Sequence, residues 1–217
     1  MVDTAPYLWQ LSLLDANERG PWLDAEFRHI RRVVLDQCSW IDLLPGWVHG
    51  GDPLLEELIT KAPWEPQRTR IMWDSEVPEP RIVARWPELS TLPRPVALMR
   101  EALSRRYGTI FDLVAVNFYR DGRDSVTWHG DRVRLTQPNA LVATVSLGQA
   151  RRFLLRPRGG GIATIRWQLG GGDLVVMGGR CQHDWEHCVP KTANAGARMA
   201  ITFRHSGAAG QVPRRDP

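Results

Sequence analysis

Arg198-Met199-Ala200-Ile201-Thr202-Phe203-Arg204 alternates at every position: Arg198, Ala200, Thr202 and Arg204 fall on one face, and Met199, Ile201 and Phe203 on the other. Successive side chains of a strand point to opposite sides of its sheet, so the stretch reads as a strand with one apolar and one polar face. Upstream, the same rhythm predicts extended segments at Asp112–Tyr119, Ser125–Asp131, Leu141–Leu147, Arg152–Arg156, Ile162–Leu169 and Asp173–Met177. Asp121-Gly122 and glycine-rich turns at 159–161, 170–172 and 178–179 separate them. Many short strands without intervening helices exclude a parallel α/β sheet. They predict a mainly β, α+β fold: a double-stranded β-helix, or jelly roll, with helices packed outside it.

The expected helices lie earlier. Asp52-Pro53 reads as an N-cap and first-turn proline ahead of Leu54, Leu55, Leu58 and Ile59, and Pro63 and Pro66 end that helix. From Pro95 to Tyr107, Val96, Met99 and Leu103 recur at helical spacing, and Gly108 supplies the stop. Between the two, Ile71-Met72-Trp73 and Arg81-Ile82-Val83 read as short extended pieces.

The chain has 217 residues and is 43% hydrophobic, which suits a single domain with a buried core. We expect that domain at 41–206, after an extension at 1–40 whose structure the sequence leaves open and before a frayed tail at 207–217. No apolar run approaches the roughly 18–20 residues of a membrane helix. Residues 1–20 lack the basic and apolar regions of a secretory signal. Cys38, Cys181 and Cys188 do not make a disulfide framework. A soluble, cytoplasmic, monomeric protein is the expectation. The formal net charge is +4, and all but Lys61 and Lys191 of the 28 basic residues are arginine. Arg151, Arg152, Arg156 and Arg158 cluster, as do Arg132 and Arg134; they either grip a polyanion or form a solvated face.

Chemistry concentrates elsewhere. In Trp128-His129-Gly130-Asp131, the His and Asp two positions apart project from the same side of an extended segment, and His187 follows 56 residues after Asp131. Two imidazoles and one carboxylate can cap one face of an octahedral metal and leave three positions open, the arrangement of non-haem Fe(II) oxygenases. If the polar face of 198–204 lines the interior, Arg198 and Arg204 need partners there. A dicarboxylate co-substrate is one, protein carboxylates another, and a place at the barrel rim removes the need. Asn117 and Tyr119 alternate similarly and could touch the same ligand or be ordinary strand residues. Cys181, His183, His187 and Cys188 raise the question of zinc, but adjacent His187 and Cys188 point in opposite directions along a strand. The chain has no Gly-x-Ser-x-Gly elbow and no His-x-Glu with a later Pro-Cys-x-x-Cys, which argues against a serine hydrolase and a zinc deaminase.

Taken together, Asn117-Phe118-Tyr119, Trp128-His129-Gly130-Asp131, His187 and Arg198-x5-Arg204 resemble the AlkB family of Fe(II)/2-oxoglutarate dioxygenases. Gly172-Asp173-Leu174-Val175-Val176-Met177-Gly178-Gly179 and Leu155-Arg156-Pro157-Arg158-Gly159-Gly160 add to the likeness. It covers about residues 110–205, the expected jelly-roll core, and more loosely 40–100. There Leu44-Pro45-Gly46 and Pro80-Arg81 match, and 66–95 would be a nucleotide-recognition lid. The resemblance implies that His129, Asp131 and His187 ligate Fe(II). It assigns Arg198 and Tyr119 to the distal carboxylate of 2-oxoglutarate, and Arg204 and Asn117 to its metal-chelating end. With dioxygen, the co-substrate would be decarboxylated to succinate and an N-methyl group on a base released as formaldehyde. Alkylated DNA bearing 1-methyladenine or 3-methylcytosine is the implied partner. Methylated RNA or protein is the alternative substrate, and a non-catalytic nucleic-acid-binding barrel the alternative class. For the flipped base, Trp86 is the first stacking candidate and Trp73 the second, with Trp128 as a pocket wall; core packing is the other role open to each. Arg81, Arg152 and Arg158 are candidate substrate contacts. Ala200, Val133 and Met177 depart from residues found in some relatives, on the substrate side or behind the site.

Overall fold

The computed structural model describes residues 21–72, 75–131 and 137–207. In chain order these form β1 (Trp22–Leu23), β2 (Arg31–Val34), β3 (Ser39–Leu44), β4 (Val48–His49), α1 (Asp52–Lys61), β5 (Thr69–Met72), β6 (Ser75–Pro78) and β7 (Ile82–Trp86). They continue as α2 (Arg94–Tyr107), β8 (Leu113–Tyr119), β9 (Val126–His129), β10 (Val142–Gly148), β11 (Arg151–Pro157) and β12 (Ile165–Leu169). Last come β13 (Leu174–Gly179), α3 (Cys181–Asp184), β14 (Trp185–Val189) and β15 (Arg198–Arg204).

The alternation of β15 decides how the layers stack. Met199, Ile201 and Phe203 are fully buried in one cluster with Leu54, Leu55 and Leu58 of α1 and Val96, Met99 and Leu103 of α2. That face is therefore the outer, helix-covered side of a seven-stranded antiparallel sheet ordered β2-β3-β13-β10-β15-β8-β7. The polar face turns inward, toward a four-stranded sheet ordered β12-β11-β14-β9. Ile41, Leu43, Val142, Val175 and Met177 of the large sheet meet Phe153, Leu155, Leu169 and Trp185 in a second apolar cluster between the sheets. The result is the jelly roll expected from the sequence, with a two-stranded sheet of β1 and β4 and a β5–β6 hairpin as attachments.

Several local expectations change. Gly51, not Asp52, takes the cap position of α1. Asp52 instead opens the helix, where its carboxylate faces the positive end of the helix dipole. The large sheet already contains β2 and β3, and β3 pairs with β13 from Ser39 to Leu44, so this domain starts upstream of position 41. β14, which carries His187, lies outside the expected strands because a histidine occupies an inward position where the pattern asks for an apolar residue. Val133, Arg132, Arg134 and Trp73 lie outside the described residues, as does the tail from position 208.

Phe203 sits fully buried between sheet and helices. Phe203→Ala should lower the unfolding free energy by about 3–5 kcal/mol, read from urea denaturation, because an aromatic core truncation leaves a cavity that the layers cannot refill.

Candidate active site

β14 and β9 are neighbours at one edge of the small sheet, and their register places His187 directly across from His129. The two imidazole centroids are 4.4 Å apart. Asp131 follows just past the end of β9. One ligand atom from each of His129, Asp131 and His187 lies within 4.8 Å of the others, and no other cluster of this kind occurs among the described residues. His129 Nδ1 is 2.8 Å from the Thr127 carbonyl oxygen; as the donor there it leaves Nε2 with the free lone pair. The Phe153 ring stacks on His187 at 5.4 Å.

Charge in this cluster is set by burial and by arginine. Burial, with His129, Arg204 and Arg81 adding to it against Asp131, pushes His187 down to about 4, which keeps its imidazole neutral and able to ligate. Burial alone would raise Asp131, but Arg204, His187, His129 and Arg81 reverse that and hold its carboxyl below the usual range. Arg204 Nη2 donates to Asp131 Oδ1, while Oδ2 lies 3.9 Å from His187 Nε2.

A pocket of about 420 Å³ opens between the sheets over this cluster, lined on the large-sheet side by Asn117, Tyr119, Arg198 and Arg204. Arg198 is only 1% exposed. Its Nη2 donates to Ser146 Oγ at 2.9 Å, and its guanidinium carbon lies 5.2 Å from the Tyr119 ring centroid. Nε and Nη1 are buried with no hydrogen-bond partner in the protein. A guanidinium in that state is costly, and a planar carboxylate is the group that would satisfy two nitrogens at once. Arg81 Nε donates to Asn117 Oδ1 at 3.1 Å, which brings a third arginine to the pocket wall.

The substrate contacts expected from the sequence fare differently. Trp86 does not face the pocket: Ile82, Ala84 and Trp86 are buried in the helix-side core, while Val83 and Arg85 line the pocket. The pleat of β7 sends Trp86 away from the site. Trp128 borders the pocket, but the pleat puts its ring opposite the inward His129, and Arg156 covers it at 4.1 Å. Arg152 is exposed on β11, next to the buried Phe153 that faces the site. Arg158 is occupied by α3, donating from Nη2 to Gln182 O at 3.0 Å and from Nε to His183 O at 2.5 Å. Arg151 is buried and donates to the carbonyls of Asp121, Asp124 and Pro190, so the arginine cluster is no single surface. Burial pushes the Cys181 and Cys188 thiols up to about 12 and about 11, and among the described residues neither joins a cluster of metal-ligating atoms. Arg68, Glu79 and Arg85 line the pocket without having been singled out. For Arg85 the signal was present, two positions from Val83 and four from Arg81 on one strand face.

Two antiparallel sheets enclosing a His-Asp-His cluster opposite a buried, under-partnered arginine define a non-haem metal oxygenase of the jelly-roll class. Residues 26–204 match the model of the 2OG-Fe(II) oxygenase superfamily. The alpha-ketoglutarate-dependent dioxygenase alkB homolog 3 of Rattus norvegicus is 32% identical over 189 residues, covering 76% of this chain and 64% of that protein. The DNA oxidative demethylase ALKBH2 of Arabidopsis thaliana is 33% identical over 120 residues, 45% of this chain and 38% of that protein. The solved structure of OsALKBH1 shares the fold at a TM-score of 0.54 and 13% identity, covering 81% of this chain and 100% of that one. The chain belongs to the 2OG-Fe(II) oxygenase superfamily and, within it, to the AlkB family, and it spans 64% of the length of the rat relative. Membership implies Fe(II), 2-oxoglutarate and dioxygen. Two imidazoles and a carboxylate suit Fe(II), and the orphaned Arg198 nitrogens suit a carboxylate of the co-substrate.

Arg198→Met keeps the length of the side chain and removes its charge. The Kd for 2-oxoglutarate, measured by calorimetry, should rise at least about tenfold, since a hydrogen bond to a charged group contributes about 1.5–3 kcal/mol. The urea midpoint of the ligand-free protein should not fall.

Proposed function

We propose that this protein removes N-alkyl groups from nucleobases in DNA, such as 1-methyladenine and 3-methylcytosine, coupled to decarboxylation of 2-oxoglutarate and releasing formaldehyde and succinate. The observation that carries the proposal is the His129–Asp131–His187 cluster facing Arg198 across one pocket that also holds Arg68, Arg81 and Arg85. Bound Fe(II) would supply the oxidising chemistry, with dioxygen and 2-oxoglutarate as its reactants.

The protein's own groups do the rest. His129, Asp131 and His187 hold the metal, and Arg204 keeps the Asp131 carboxylate ionised and fixes one of its oxygens. Arg198, steadied by Ser146 and Tyr119, binds the distal carboxylate, and Asn117 and Arg204 lie toward the other end of the co-substrate. The depth of Arg198 excludes bulk water from that end. A pocket of about 420 Å³ has room for a base but not for a duplex, so the damaged nucleotide would enter everted or from a single strand. The segment 66–95, which carries β5, β6 and β7, would act as the recognition lid by placing Arg68, Glu79, Arg81 and Arg85 at the pocket. Glu65 pairs with both Arg68 and Arg85, so these guanidiniums are held at the rim rather than left to wander.

With Fe(II), 2-oxoglutarate and an oligonucleotide carrying 1-methyladenine or 3-methylcytosine, the purified protein should release formaldehyde in proportion to repaired base. Matched single-stranded, double-stranded and RNA versions rank the substrates. Formaldehyde from the RNA strand alone would move the activity to RNA, and none from any strand, with iron bound, would overturn the proposal.

A further inference from the structure

Asp131 sits one step beyond the region where strand pairing can hold it. The last pair of the β14–β9 ladder is His187 with His129, so the amide of Asp131 has no ladder partner. A buried backbone N–H must still be satisfied. It donates to Oε1 of Gln182 at 2.8 Å, across 51 positions of sequence. Gln182 is 2% exposed, and its Nε2 is 3.6 Å from the sulfur of Met177. The side chain therefore has both ends engaged and a defined orientation.

The four-residue α3 that presents Gln182 is itself tied down. Arg158 donates its backbone N–H to Asp184 O at 2.8 Å, Nη2 to Gln182 O and Nε to His183 O. His183 Nε2 lies 2.9 Å from the carbonyl oxygen of Gln137, on the far side of the segment that follows Asp131. Gly130 is where this assembly presses on the ligand strand. A Cβ there would lie 2.4 Å from Arg158 Nη2 and 2.5 Å from Gln182 O, closer than packed atoms come. The glycine between His129 and Asp131 is thus required by close approach.

We propose that Gln182 is a positioning residue for the metal centre, and that α3 with Arg158 forms the buttress that sets where Asp131 stands relative to His187. The inference rests on the metal-site reading above. Arg204 pulls on Oδ1 of Asp131, and that pull alone would draw the side chain toward the large sheet. Gln182 opposes it by fixing the main chain, which leaves Oδ2 turned to the imidazole of His187. Five residues after Gln182 the same α3–β14 segment delivers His187 itself. One short segment thereby carries one ligand and the clamp on another, so the spacing between the two is set locally and does not depend on the distant turns of the barrel.

The test is Co(II) titration of the full chain without co-substrate, followed by visible ligand-field absorption, which responds to the number and geometry of ligands. Gln182→Met preserves bulk and removes the acceptor. It should weaken Co(II) binding by about tenfold, the lower end for loss of a group supporting a metal ligand, and alter the spectrum. Arg158→Ala, at an exposed position, should shift affinity the same way by a smaller factor. Folded Gln182→Met and Arg158→Ala proteins that bind Co(II) with unchanged affinity and spectrum would overturn the inference; if Gln182→Met does not fold, Arg158→Ala decides alone. His187→Ala is the separate control: loss of binding supports the metal site on which the inference stands, and retained binding would overturn that site and the inference with it.

Discussion

Two guanidiniums between the sheets are the constraint around which the interior is arranged. Arg198 and Arg204 lie on one face of β15, separated by about 20 Å of extended chain. The opposite face of the same strand is needed for the core against α1 and α2, and a one-residue slip would exchange the two. The arginines are inside because Met199, Ile201 and Phe203 must point the other way. Each then needs an answer within the barrel. Arg204 finds Asp131, and Arg198 finds Ser146 and the face of Tyr119 but leaves two nitrogens over. Arg204 Nε is also buried without a partner, so the two ends differ in degree: one is anchored by a protein carboxylate, and the other has two guanidinium nitrogens that wait for one.

The pairing of Arg204 with Asp131 also links the two sheets electrostatically. Burial works against an ionised carboxylate, and the surrounding cations override it. Burial works in the same direction as those cations on His187, so its imidazole stays neutral where a lone surface histidine would begin to protonate near neutrality. A metal ligand set needs this combination: one charged oxygen donor and neutral nitrogen donors. The arginine that would approach the co-substrate is the same one that prepares the carboxylate, so the site's charge is partly balanced before anything binds.

How much of this could be read from residues alone depended on whether a local pattern carried the information. β15 and α2 were legible from Arg198–Arg204 and from Val96, Met99 and Leu103, because their periodicity follows directly from burial on one face. The metal triad was legible because His129 and Asp131 share a strand face and His187 completes a known donor set. β2 was not legible, since an edge strand reading Arg31-Arg32-Val33-Val34 is mostly exposed and has no alternation to display. Trp86 was assigned from its residue type, whereas the decisive fact was parity: Arg81, Val83 and Arg85 reach the pocket, so Trp86 cannot. Gln182 left no trace in the sequence, because a side-chain bond to a backbone amide 51 positions away has no spacing rule.

The location of His129 and Asp131 at a sheet edge, with His187 on the next strand in, explains how one barrel can be both dry and accessible. Among the described residues β9 is the outermost strand of the small sheet, with β14 on one side and no strand on the other. His187 sits on β14, which has strands on both sides, whereas His129 is on the edge strand and Asp131 just past its end. An edge strand leaves one flank unpaired, and the pocket beside it is lined by Arg68, Arg81 and Arg85. The cost is that an edge strand lacks a second ladder to hold its end in place, and Asp131 lies beyond even the first. Side chains from α3 and from the turn after β11 take over that task, with Gln182 on the amide and Arg158 behind it. Access to a large substrate and precise placement of a metal ligand are thus reconciled by moving the support of Asp131 from strand pairing to a buried amide side chain.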